Sequence, residues 1–131
     1  MEVDVFGTRS LRLIRDIKRI GAAVGTRFRL HRMKVNVIFV DNRYIQKLNR
    51  RFLKRNRPTD VLAFPLHQPC PDGRLTLLGE VYVSRDQARI QARQNGIRYA
   101  TELRNLALHG LMHLAGLDHR QMKVLKTQFR P

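Results

Sequence analysis

An α+β fold, with helices packed on a mixed sheet of about four strands, is what this chain of 131 residues predicts. Three observations carry that expectation. Segments with apolar residues at helical spacing follow segments of alternating, β-branched residues, but without the strict alternation of a regular β-α repeat. The length suits one domain, spanning residues 1–131, around a single core. The 43% hydrophobic content is too high for a disordered basic tail.

The elements are expected in the following order. Val3, Val5 and Phe6 mark a short first strand. Leu13, Ile17, Ile20 and Val24 recur at helical spacing over residues 10–24, with Gly25 as a stop. Residues 33–40 are rich in β-branched residues and read as a strand. Asp41 or Asn42 is positioned to cap a helix that carries Ile45, Leu48 and Phe52 on one side. Residues 60–64 are extended and close at Pro65, and residues 67–76, with Pro69, Pro71 and Asp72-Gly73, form a loop. A strand over 77–84 leads into a helix over 85–95 that Gly96 ends. The most apolar helix covers 101–115, ending at Gly116, and a last short helix covers 121–129. That makes about five helices.

Charge points to the class of partner. The chain holds 26 Lys+Arg against 10 Asp+Glu, a net charge of +16, and 20 of the cations are arginine. A guanidinium binds phosphate oxygens in pairs and stacks on bases, so the excess favours nucleic acid over membrane surfaces or acidic proteins. Residues 50–57 carry five cations and no acid; Arg85, Arg89 and Arg93 form one helical stripe, and Arg12, Arg15 and Arg19 nearly another. Few aromatic residues are near these cations in sequence, which predicts limited base stacking. No apolar run approaches the roughly 20 residues that cross a bilayer. The acidic, alternating start is unlike a signal peptide, and the single cysteine, Cys70, excludes an internal disulfide and suits a reducing, cytoplasmic setting.

The chemistry is concentrated between residues 109 and 119. His109 and His113 are one helical turn apart, so both rings leave one face, and Gly116 lets the chain reverse so that His119 returns toward them. Three imidazoles converging in this way form a zinc site with an open fourth position, the arrangement catalysis requires. Asp118 is placed to orient one of the rings. A closed, structural zinc site needs a fourth ligand, which only Cys70 or His67 supplies, from a distant loop. Gly110, a costly residue inside a helix, implies close approach of substrate or a neighbouring strand. The spacing also matches the zinc peptidase string His-Glu-x-x-His-x-x-Gly-x-x-His, but Gly110 stands where that string has its general base, which demotes peptide hydrolysis.

The run His109-Gly110-Leu111-Met112-His113-Leu114-Ala115-Gly116-Leu117-Asp118-His119 resembles the signature of the YbeY endoribonucleases. Leu48-Asn49, Phe52 and the run from Pro58 to Pro65 are similar to a second block of that family, and Leu78-Gly79-Glu80-Val81 to its Leu-Gly-Asp strand. The resemblance implies a zinc-dependent, single-strand-preferring endoribonuclease that binds one zinc ion. It further implies action on the small-subunit rRNA 3′ end and in ribosome quality control, with ribosomal assembly intermediates as partners. His109, His113 and His119 would be the metal ligands and the catalytic set, and Arg51, Lys54, Arg55, Arg57, Arg85 and Arg89 are the expected RNA contacts. Three positions depart from the family pattern. Leu53 replaces an arginine implied to contact RNA or the scissile phosphate, Ala63 replaces a common serine, and Leu117 a tyrosine. Asp60 and Glu80 are general-base candidates only if the fold brings them to the metal, and structural roles fit both better. An rRNA-binding assembly factor with a structural zinc is the alternative, supported by Leu53.

Overall fold

A computed structural model of the chain describes residues 1–116 and 120. In chain order the elements are β1 (Glu2–Phe6), α1 (Leu11–Arg27), β2 (Met33–Val40), α2 (Asn42–Leu53), β3 (Val61–Pro69), β4 (Thr76–Ser84), α3 (Arg85–Asn95) and α4 (Tyr99–Leu114). The strands form one sheet in the order β1-β2-β4-β3; β1, β2 and β4 run parallel, and β3 lies antiparallel on the edge beside β4. The α+β layer with a mixed sheet is therefore as expected. Four helices are present among the described residues, and the fifth, expected at 121–129, lies outside them.

Strand alternation divides the core in two. Val35, Val37 and Phe39 of β2 join Val81 and Val83 of β4 in the larger cluster, which Ile17 and Val24 of α1 and Leu111 and Met112 of α4 complete. The smaller cluster, on Val40, Ile45 and Leu62, draws in Ile38, Phe64 and Tyr82. Thus α1 and α4 pack on the larger cluster, and α2 belongs to the smaller one.

Three helices start on side-chain caps: Ser10 Oγ accepts from Leu13 N at 3.2 Å, Asp41 Oδ1 from Tyr44 N at 2.8 Å, and Ser84 Oγ from Gln87 N at 3.1 Å. Each of them satisfies an N–H that the first helical turn leaves without an intrahelical partner.

Three boundaries differ from the sequence expectation. α1 passes through Gly25 to Arg27, because Gly25 serves packing: a Cβ there would lie 2.0 Å from the Met1 nitrogen. β3 does not close at Pro65 but continues to Pro69, shortening the expected loop. An edge strand tolerates proline, whose missing N–H can face away from the ladder. The irregularity that the prolines introduce is a register shift between Pro65 and Gln68, with His67 at φ 52. α4 begins at Tyr99, two residues earlier than its apolar pattern suggests.

Candidate active site

α4 carries the site. Leu108, Leu111, Met112 and Leu114 are buried in the core, while His109 is half-buried and His113 exposed, one turn further on. Their Nε2 atoms lie 3.0 Å apart, with the ring centroids at 4.5 Å and the ring planes nearly perpendicular. Both rings line a cleft of about 460 Å³, with Leu53 from the end of α2, Asp60, and Val61, Ala63 and Pro65 of β3. The helix ends on Gly116 at φ 75, a left-handed turn that a residue with a Cβ rarely adopts. The left-handed conformation expected at Gly116 is thus present. His119 and Asp118 themselves lie outside the described residues.

Gly110 sets the depth of the helix. A Cβ at this position would lie 2.3 Å from Val81 Cγ1, so the close approach implied by this glycine is to a neighbouring strand, β4. Gly110→Ala is expected to lower stability by about 1–2 kcal/mol, because overpacking outweighs the gain in helix propensity. Adding Val81→Ala should restore part of the loss in a denaturant titration, since it empties the space the new methyl needs.

The donor chemistry fits a metal ion. Tetrahedral zinc with ligand distances of ~2.0–2.1 Å separates its imidazole nitrogens by ~3.3 Å, and the two Nε2 atoms already converge to a similar spacing. Among the described residues no group of three potential ligands forms, so a closed site with His67 or Cys70 gains no support there.

The acidic candidates separate. Asp60 lines the cleft, but its Oδ1 accepts from Val61 N at 2.8 Å and its Oδ2 from Gln91 Nε2 at 3.2 Å, which ties it to the strand and α3. Glu80 accepts from the Tyr82 hydroxyl at 3.2 Å and belongs to the α2 side of the sheet, away from the histidines.

The cations also separate. Arg51, Lys54, Arg55 and Arg57 are all exposed at the end of α2 and in the segment after it, next to Leu53 at the cleft. That segment is held in place: Lys54 turns the chain at φ 56, and the buried Asn49 donates from Nδ2 to the Arg57 carbonyl at 2.9 Å. Asn49→Ala should cost about 1–3 kcal/mol by leaving this carbonyl without its donor, and should loosen the basic segment, raising its amide hydrogen exchange. Arg85 and Arg89 are placed elsewhere. One Arg85 nitrogen donates to the Gly7 and Phe39 carbonyls, Arg89 lies over the Tyr99 ring at 4.7 Å, and no α3 residue is among the described residues lining the histidine cleft.

The expectation of few aromatic residues near the cations is corrected by the fold. Tyr44 stacks on Tyr82 at 6.2 Å, Tyr82 meets Phe64 at 5.9 Å, Phe64 meets Phe52 at 5.4 Å, and the Arg51 guanidinium lies 5.4 Å from the Phe52 ring centre. These residues are distant in sequence, and only strand pairing and the seat of α2 assemble them. Within this ladder, burial and then the neighbouring Glu80 carboxylate push the Tyr82 phenol up to about 12. The unfolded chain ionises this group near pH 10, so the stability it contributes is complete below pH 10 and is lost as pH rises from 10 to about 12. A spectrophotometric titration should show a late tyrosinate component that Tyr82→Phe removes.

Fold and site together define a small, basic α+β protein with a pair of converging imidazoles in an open cleft beside a cationic helix end. The Endoribonuclease YbeY family profile matches residues 7–129, and the chain belongs to that family. It is 36% identical over 101 residues to the endoribonuclease YbeY of Aquifex aeolicus, covering 77% of this chain and 66% of the relative. The Carboxydothermus hydrogenoformans relative of the same name is 42% identical over 85 residues, covering 65% and 57%. The chain thus spans less than two thirds of either relative's length. The solution structure of a Thermotoga maritima protein superposes with a TM-score of 0.68 at 28% identity, over 97% of this chain and 85% of that one. No helix among the described residues is long and apolar enough to cross a membrane.

Proposed function

We propose that the chain is a zinc-dependent endoribonuclease that cuts single-stranded RNA. The observation that carries this reading is the 3.0 Å convergence of the His109 and His113 Nε2 atoms in an open cleft that Leu53, at the cationic end of α2, also lines. Relatives named as endoribonucleases support it. His119 is the third ligand that the spacing supplies. When bound, zinc contributes Lewis acidity and positive charge at the phosphodiester.

The chain's own groups perform the rest. Arg51, Lys54, Arg55 and Arg57 draw phosphates to the cleft mouth and hold them by charge. Asn49 fixes the backbone that presents them, and the β3 edge forms the opposite wall. Asp60, held by donors from Thr59, Val61 and Gln91, shapes the turn at the cleft rather than moving a proton. Small-subunit rRNA at its 3′ end, ribosomal assembly intermediates as partners, quality control and the cytoplasm are the setting that fits this activity.

A second reading, an rRNA-binding assembly factor without chemistry, is favoured by Leu53, which brings an apolar side chain into the cleft. End-labelled single-stranded RNA and its duplex, incubated with the protein and zinc, separate the two. Internal cleavage of the single strand that His109→Ala eliminates is the expected result. Binding without cleavage would establish the assembly factor instead.

A further inference from the structure

The aromatic ladder is more than packing. Its two ends, Tyr44 and Phe52, are 48% and 55% exposed; Tyr44 is stacked on Tyr82, and Phe52 meets Phe64 edge-to-face with the Arg51 guanidinium 5.4 Å from its ring centre. Large rings held rigid on one side and open to water on the other lose little freedom when a flat partner lies on them.

Their surroundings are cationic. On α2, Tyr44, Lys47 and Arg51 stand at i, i+3 and i+7, one stripe of a helix whose sequence, Asn42–Leu53, holds no acid. The stripe has a pocket at each end. Tyr44 lines one of about 410 Å³ with Arg43, Lys47 and Arg85; Leu53, the neighbour of Phe52, lines the histidine cleft. Tyr44 and Phe52 are eight residues apart, ~12 Å along the helix axis. That distance is about three to four stacked base steps at ~3.4 Å each, so the two rings would receive bases that are not adjacent.

We infer that the exposed flank of α2, together with the C-terminal end of that helix, is a track for single-stranded RNA: Tyr44 and Phe52 stack unpaired bases, and Lys47 and Arg51 hold the phosphates between them. The track runs from the Arg43–Lys47–Arg85 pocket into the histidine cleft. The inference rests on the RNA reading above and adds to it how the strand is aligned before the cleft. RNA is the occupant that the charge selects. Rings interleaved with cations suit a polyanion with flat faces, the acid that lines the far pocket, Asp41, being engaged as the cap that accepts from Tyr44 N, whereas an apolar protein partner would have to bury those cations unpaired. A duplex hides the faces of its bases, so the track also supplies a reason for single-strand preference.

The test uses the full chain carrying His109→Ala, so that binding is read without cleavage. The probes are a fluorescein-labelled RNA decamer and an abasic decamer with the same phosphates. Base-bearing RNA should bind about tenfold tighter, and Tyr44→Leu and Phe52→Leu should each weaken it by about fivefold or more, leaving the abasic probe unchanged. Tyr44→Phe should keep the wild-type affinity. Lys47→Ala should weaken both probes alike and reduce the salt dependence by about one phosphate contact. Equal binding of the two probes, or aromatic variants that lose anionic-vesicle binding while RNA binding stays intact, overturns the track. If a leucine variant melts early, crosslinking of 5-iodouridine RNA to the unsubstituted rings decides: adducts on Tyr44 or Phe52 support the track, and adducts confined to other residues refute it. With the histidines intact, cleavage without base discrimination removes the track and leaves the nuclease, and discrimination without cleavage does the reverse.

Discussion

His113→Ala is expected to slow RNA cleavage by at least about a thousandfold, the equivalent of several kcal/mol of transition-state stabilisation. The same substitution should hardly affect folding, within ~0.5 kcal/mol, because His113 is exposed and the ring makes its close contact with His109. Activity and stability therefore part company at this residue. Direct titration should give one zinc per wild-type chain and much weaker binding in the variant. His109→Ala should reproduce the loss of activity, at a somewhat greater cost in stability because His109 is half-buried at the sheet. A variant that keeps both cleavage and zinc affinity would show that the rings converge without holding a metal.

Leu53→Arg is expected to raise the cleavage rate by about tenfold to a hundredfold. Leu53 is 47% exposed and lines the histidine cleft, so its side chain contributes apolar surface where a phosphodiester gathers negative charge. A guanidinium there would meet that charge at short range, and single donors aimed at a developing oxyanion contribute about a hundredfold or more. Arg51, Lys54, Arg55 and Arg57 are not among the described residues that line the cleft itself, so none of them occupies the place of Leu53. The gain should appear in the rate at saturating RNA more than in affinity, since the other cations already attract the strand. An unchanged rate would mean that Lys54 or Arg55 already fills this role.

What the sequence made legible, and what it did not, follows from the range of the interactions. Caps and helical stripes are local, and the Asp41 cap and the Leu13–Ile17–Ile20–Val24 face are found where their spacing puts them. The histidine pair is local too, one turn apart, and its convergence follows from helix geometry alone. Gly25 is ambiguous because a glycine that ends a helix and one that admits a neighbouring segment look alike in sequence; contact with Met1 decides between them. The continuation of β3 past Pro65 has no local signal, because proline's tolerance depends on the strand lying at an edge, which is a property of the sheet. The aromatic ladder gives no local signal, since Tyr44, Phe52, Phe64 and Tyr82 meet only through pairing of β3 with β4 and the seat of α2. Arg85 and Arg89 are RNA-contact candidates on charge alone; that they lie outside the histidine cleft, on the Gly7 and Phe39 carbonyls and the Tyr99 ring, is a property of the fold.

The most direct measurement is the rate at which the chelated protein cleaves one single-stranded RNA as zinc is returned in substoichiometric steps. The prediction is a rate near zero without metal that rises linearly with zinc and levels off at one ion per chain, with no recovery in His109→Ala. A metal-stripped protein that cleaves as fast as the loaded one would contradict the account.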